Sequence, residues 1–210
     1  MDPRTLDSTR RSLHGVAELV LAGPQYARSA DIRLRVTKHG FSTVAEPALG
    51  IEADALVTPS GRFPLTGSIA ALAALAGVDP RDLRDVYAGG PNVDIHDEIT
   101  VDERAARLIL SAFSRGDAAM RQLAPEEPVL WPEHFDVGVS FDKVNYGVSP
   151  GDSDFAEPYA YVGPWKLRTG PFWNAPFGAA RLMRELPGVD DVLEFFSAGG
   201  AHASDDPEAT

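Results

Sequence analysis

Apolar residues first recur at helical spacing. Leu13, Val16, Ala17 and Val20 fall on one face of a helix predicted over residues 8–22, and Gly23-Pro24 is expected to end it. The period then changes to two. Ile32, Leu34 and Val36 alternate with Arg33 and Arg35, which predicts a half-buried strand, and His39-Gly40 turns the chain toward a hairpin partner over 41–45. Residues 50–65 predict three short strands, around Ile51, Leu56-Val57 and Phe63. Over 66–76 the helical period returns, with Ile69, Leu72, Ala73 and Ala76 on one face and Gly77 placed to stop it. Asp79-Pro80 predicts a short helical turn reaching Tyr87, broken by Gly89-Gly90-Pro91. Thr100 and Glu103 match a capping box with Thr100 as N-cap. The helix behind it, over 101–123, carries Ala105, Ile109, Ala112, Phe113, Met120 and Leu123 on one face, and Pro125 and Pro128 end it.

Beyond that point strands and ordered loops dominate. Residues 131–142 alternate throughout. Trp131, Glu133, Phe135, Val137, Val139 and Phe141 share one face, and His134, Asp136, Gly138, Ser140 and Asp142 share the other. Further strands are predicted over 144–148 and 157–162, joined through Ser149-Pro150-Gly151-Asp152, whose central Pro-Gly suits a type II turn. Short helices are expected over 178–186 and 189–197, then a frayed tail over 199–210. The pattern predicts an α+β fold of antiparallel sheets wrapped by helices. It divides into a lobe over 1–125, an aromatic-rich lobe over 126–198 and the tail, with the two lobes able to share one curved sheet.

Composition adds three things. The chain of 210 residues has no cysteine, which excludes disulfides, thiolate metal sites and thiol nucleophiles. Its net charge of −12 argues against nucleic acid or an anionic membrane surface as partner. That charge is uneven, because residues 1–40 hold seven basic and four acidic side chains while the remainder is strongly acidic. The aromatics are uneven as well: thirteen of eighteen follow residue 125, and eleven of those lie between Trp131 and Phe177. No early segment is apolar for long enough to act as a signal or to span a bilayer, so a cytoplasmic protein is expected. Arginine outnumbers lysine sixteen to three, as in proteins coded by GC-rich bacterial genomes.

The aromatic segment also holds the candidate chemistry. An imidazole and a carboxylate two residues apart on one strand face, His134 and Asp136, form a carboxylate-oriented general base, with Gly138 leaving room above the sheet. The same pair has the spacing of two ligands of an iron facial triad. The third histidine is missing at any ligand spacing, so no metal site is assigned. The pair can equally hydrogen-bond to each other and to backbone, which would make it structural. Asp152 and Asp154 lack the pattern of a calcium loop. Tyr159 and Tyr161 share a strand face, and together with Tyr146, Trp173 and Asn174 they are the candidate pocket lining. P-loop, dinucleotide, nucleophile-elbow and zincin motifs are absent from the sequence.

Pro132-x-His134-Phe135-Asp136, Gly147-x-Ser149-x-Gly151-Asp152, Glu157-Pro158-Tyr159-x-Tyr161-Val162 and Phe172-Trp173-Asn174 occur in this order. Over residues 128–197 the chain resembles a family of uncharacterised bacterial proteins carrying F-P-H-H-F-D, G-x-S-x-G-D and E-P-Y-x-Y elements. It departs from the family at Glu133, where the family has a second histidine. The resemblance implies no activity. It implies that these elements travel as a set.

The expectation is a protein that binds a small organic molecule in an aromatic-lined pocket, with His134 oriented by Asp136 as acid or base. The alternative is a non-catalytic homo-oligomeric scaffold, its aromatic segment serving as core or subunit face. No cofactor is assigned.

Overall fold

The computed structural model describes residues 1–209 and forms an α+β protein in which every described strand pairing is antiparallel. Two compact units are present, one of residues 1–111 with 130–135, the other of residues 112–129 with 136 onward. Among the described residues no helix is long and apolar enough to cross a membrane.

The first unit opens with α1 (Pro3–Val16), where Asp2 caps the backbone N–H of Arg4 at 3.3 Å and Pro3 occupies the first turn. Gly23-Pro24 does not end this helix. The backbone widens into a π-helical stretch, Ala17–Ala22, and continues as α2 (Gly23–Ser29). Proline is excluded from helix interiors because its ring meets the carbonyl four residues back, and a wider turn ahead of Pro24 relieves that clash. Gly23 has a packing role instead, since a Cβ there would lie 2.0 Å from the carbonyl oxygen of Arg81. The helix stops at Ala30, which is left-handed at φ 57°.

Strands β1 (Leu34–Thr37), β2 (Gly40–Thr43), β3 (Gly50–Glu52), β4 (Ala55–Thr58) and β5 (Gly61–Pro64) form a meander in sequence order, close to the predicted positions. Its buried face carries Leu34, Val36, Phe41, Ile51 and Leu56, as the alternation requires. Gln25 is fully buried and uses its whole amide. Oε1 accepts from Val44 and Ala45 N–H at 2.7 and 2.9 Å, and Nε2 donates to the Asp31 and Arg33 carbonyls at 2.7 and 2.9 Å.

Helix α3 (Ile69–Ala76) begins on the Ser68 cap and stops at left-handed Gly77, φ 70°. Only a single turn follows in the region predicted to be helical up to Tyr87, with Tyr87 N–H on the Leu83 carbonyl at 3.1 Å. Helix α4 (Glu103–Leu123) is capped by Asp102, not Thr100. Asp102 Oδ1 takes the N–H groups of Arg104 and Ala105 at 3.0 and 2.9 Å. Thr100 and Asp102 instead donate their own N–H groups to Ser12 Oγ and Thr9 Oγ1 of α1 at 2.9 and 3.0 Å, which fixes where α4 starts. Strand β6 (Val129–Trp131) pairs Leu130 with Leu34 of β1.

In the second unit β7 (Asp136–Phe141), β8 (Val144–Ser149), β9 (Tyr159–Pro164) and β10 (Ala179–Leu182) lie in the order β10-β9-β8-β7. β10 occupies the start of the helix predicted over 178–186. Leu182, Met183 and Leu186 gave that stretch a helical period, but residues 179–182 pair with β9 and only Met183–Glu185 turns, as a 3-10 segment. The last helix, α5 (Val189–Asp205), runs through Gly199-Gly200 into the residues expected to fray. Each glycine costs a helix about 1 kcal/mol relative to alanine, and packing offsets this. A Cβ at Gly199 would sit 2.6 Å from Val162 Cγ2, and one at Gly200 2.7 Å from Tyr146 Oη. Past α5, Thr169 N–H donates to the Pro207 carbonyl at 2.9 Å and Ala209 N–H to the Leu167 carbonyl at 2.8 Å, so residues 207–209 are also paired.

Candidate functional site

Strand register decides how the expected site residues are distributed in the second unit. Tyr146 pairs with Val162 and Gly147 with Tyr161, so Tyr146 projects from the opposite face to Tyr159 and Tyr161. Tyr146 is buried and meets Phe196 of α5 edge-on, with ring centroids 5.7 Å apart. The three tyrosines therefore do not line one pocket.

Tyr159 and Tyr161 sit on the face that also carries Gly138, Gly147 and Gly163. Tyr161 lies along this glycine row. A Cβ on Gly147 would come within 2.4 Å of its Cζ and Oη, and one on Gly138 within 3.2 Å of Oη. The hydroxyl donates to Asp136 Oδ2 at 2.5 Å. The room that Gly138 was expected to leave above the sheet is thus filled by a side chain. Burial, and then the charge of Asp136, push the Tyr161 phenol well above its ordinary pKa. Tyr159 repeats the arrangement, donating to Asp152 Oδ2 at 2.6 Å, and burial followed by that hydrogen bond raises its pKa too. Both phenols stay protonated, as donors to carboxylates, and with Phe155 and Phe177 they form a packed aromatic layer.

His134 does not share a strand face with Asp136. Residues 132–135 form a turn, closed by Phe135 N–H on the Trp131 carbonyl at 2.8 Å, with Phe135 left-handed at φ 53°. The turn breaks the alternation that had placed the two together. The His134 side chain is 68% exposed and lies 3.8 Å from the Glu133 carboxylate. Trp173 and Asn174 hold structure. Trp173 Nε1 donates to Asp206 Oδ2 at 2.9 Å, and the Asn174 amide clamps both backbone groups of Ala180 at 2.8 and 3.1 Å. Among the described residues no three His, Cys, Asp or Glu side chains gather as metal ligands would.

In the first unit the π-helical stretch carries a buried carboxylate, Glu18. Its Oε2 accepts from the Tyr87 hydroxyl at 2.6 Å, and burial raises its pKa. His14 Nε2 lies 2.7 Å from the Pro132 carbonyl, its ring stacked on Phe135, and burial lowers its pKa to about 4. Both groups hold elements together within the unit.

The second unit also contains a cleft of about 660 Å³ at the tip of the β7–β8 hairpin. Its floor is Phe141, Val144, Tyr146 and Pro164, and one wall is α5 at Ser197, Gly200, Ala203 and Ser204. The rim carries Asp142, Lys143, Trp165, Lys166 and Arg168. The hairpin turns in two residues, Asp142 and Lys143, both left-handed at φ 51° and 65°, which is type I′ geometry and projects both side chains at the tip. Trp165 N–H bonds the Lys143 carbonyl at 2.9 Å and its indole N–H reaches Asn145 at 3.2 Å, while the residue stays 66% exposed.

Of the expected lining only Tyr146 belongs to this cleft. Sequence reasoning missed Lys143, Trp165, Lys166 and Arg168. One signal was available, since two of the chain's three lysines lie within 24 residues of each other in this aromatic segment. No family model matches the chain, and neither a curated protein nor a solved structure matches it.

Proposed function

We propose that this protein binds a small organic molecule in the cleft between the β7–β8 hairpin and α5. The observation that carries this reading is the cleft, whose volume of about 660 Å³ suits a ligand of metabolite size. Phe141, Val144, Tyr146 and Trp165 supply apolar and aromatic surface, and a few polar groups at the rim could fix orientation. The lining contains no imidazole, so acid/base chemistry at His134 and Asp136 forms no part of the proposal. The test is a fragment screen by ligand-observed NMR against the wild type and Ser204→Trp, which fills the cleft from an exposed helix position. Fragments that bind the wild type and lose binding to the variant support the reading. Binding that survives in the variant rejects it.

Homo-oligomeric assembly is the second reading, favoured by the exposure of Trp165 at 66% and Leu167 at 48% on one short segment. Light scattering of the wild type and Leu167→Lys tests it, with a dimer that dissociates in the variant as the supporting result and a wild-type monomer as the opposing one.

A further inference from the structure

We propose that the ligand of this cleft is an organic anion with a flat apolar body, and that Glu208 is the counter-ion it displaces. The inference rests on the reading of the cleft as a small-molecule site and adds the ligand's chemical class. In a chain of net charge −12, three cationic side chains, Lys143, Lys166 and Arg168, line one cleft. Asp142 is the only carboxylate in that lining.

The cations are poorly matched by partners. Lys143 has no ion-pair partner among the described residues. Arg168 has a mostly buried side chain whose Nε is fully buried without a hydrogen-bond acceptor, and its Nη1 lies 3.5 Å from Glu208 Oε1. Arg168 keeps its charge in a mostly buried side chain with one 3.5 Å contact to a carboxylate, so an anion held in the cleft would supply a closer partner.

Glu208 supplies the one carboxylate that Lys166 and Arg168 now share. It meets Lys166 Nζ at 3.0 and 3.2 Å, and its own side chain is half exposed. Ion pairs as exposed as that of Lys166 with Glu208 contribute little to stability. A ligand carboxylate or phosphate can therefore take the place of Glu208 at small cost. With Glu208 displaced, Lys143, Lys166 and Arg168 face only Asp142 within the lining, and the cleft is net positive. Phe141, Tyr146 and Trp165 would receive the ligand's body.

The experiment uses full-length ¹⁵N-labelled protein, with the Trp165 indole signal assigned through Trp165→Phe. The probes are 2-naphthoate and its uncharged isostere 2-naphthamide, with phenyl phosphate and phenol as a second pair. Each acid should bind at least about tenfold more tightly than its neutral partner, and the preference should shrink as salt is raised. Glu208→Gln should tighten naphthoate binding several-fold. Lys166→Gln and Lys143→Gln, both at exposed positions, should each weaken the acid and leave the amide unchanged. Arg168→Gln should abolish the preference, with circular dichroism confirming that the variant is folded. Equal binding of acid and amide overturns the anion class while the cleft reading stands. Glu208→Gln binding no more tightly than wild type overturns the counter-ion role. If none of the four probes moves the Trp165 signal, the cleft reading falls as well.

Discussion

The Tyr161 hydroxyl donates to Asp136 Oδ2 at 2.5 Å, and the ring reaches that carboxylate by lying over Gly147 and Gly138. Gly147 leaves no room for a Cβ beneath the ring, and Gly138 leaves only a tight one. Gly147→Ala places a methyl 2.4 Å from Tyr161 Cζ and should cost about 1–3 kcal/mol by overpacking. Gly138→Ala, with its nearest contacts at 3.2 Å, should cost less. Tyr161→Phe keeps the ring and removes the charge-assisted hydrogen bond, for about 1–2 kcal/mol. Urea unfolding of the three variants checks the order, and Gly138→Ala being the most damaging would contradict the geometry.

Acid stability should depend on His14. Its folded pKa of about 4 lies below the ordinary histidine value of 6.5, so the unfolded chain binds the extra proton across that interval. Stability from this group is complete above about pH 6.5 and is lost as pH falls toward 4. The full effect is about 3 kcal/mol. Glu18 has the opposite sign. Its pKa is raised by burial, so its charged form is unfavourable in the fold and acidification relieves it. Unfolding free energies of wild type, His14→Gln and Glu18→Gln should be compared between pH 7 and 4. His14→Gln should flatten the acid decline, and Glu18→Gln should steepen it.

The start of α4 offers a test between two caps. Asp102 Oδ1 takes two backbone N–H groups, whereas no hydrogen bond to the exposed Thr100 hydroxyl is described. Asp102→Ala should cost about 1 kcal/mol. Thr100→Ala should stay within about 0.5 kcal/mol. Ser12→Ala, which removes the acceptor for Thr100 N–H, should destabilise more than Thr100→Ala. Thermal melts rank the three, and a larger loss from Thr100→Ala would restore the capping box.

Much of the fold was legible because its causes are local. Alternation in 32–36, turn residues between 50 and 65, and the Gly77 stop depend on backbone preferences carried by neighbouring residues, and β1 to β5 and α3 followed them. The long amphipathic helix was equally clear, and only its cap moved. The candidate site was less legible. Tyr146 lines the cleft, but its expected grouping with Tyr159 and Tyr161 depended on a register between β8 and β9 that no single strand reveals.

By itself, then, the sequence determined the antiparallel α+β class, the first-unit meander and the concentration of aromatics after residue 130, because periodicity and turn chemistry act within a few residues. Tertiary structure alone decided where the chain would ignore its own stop signals. Gly23-Pro24 and Gly199-Gly200 stay inside helical segments because the backbone of Arg81 and the side chains of Val162 and Tyr146 approach where a Cβ would stand. Tertiary structure alone also turned the chain at 132–135, separating His134 from the strand that carries Asp136. It gathered Lys143, Lys166 and Arg168 at one rim, in a chain whose overall charge is strongly acidic. Glycine marks a stop only when the space beside it is empty, and the sequence does not say whether it is.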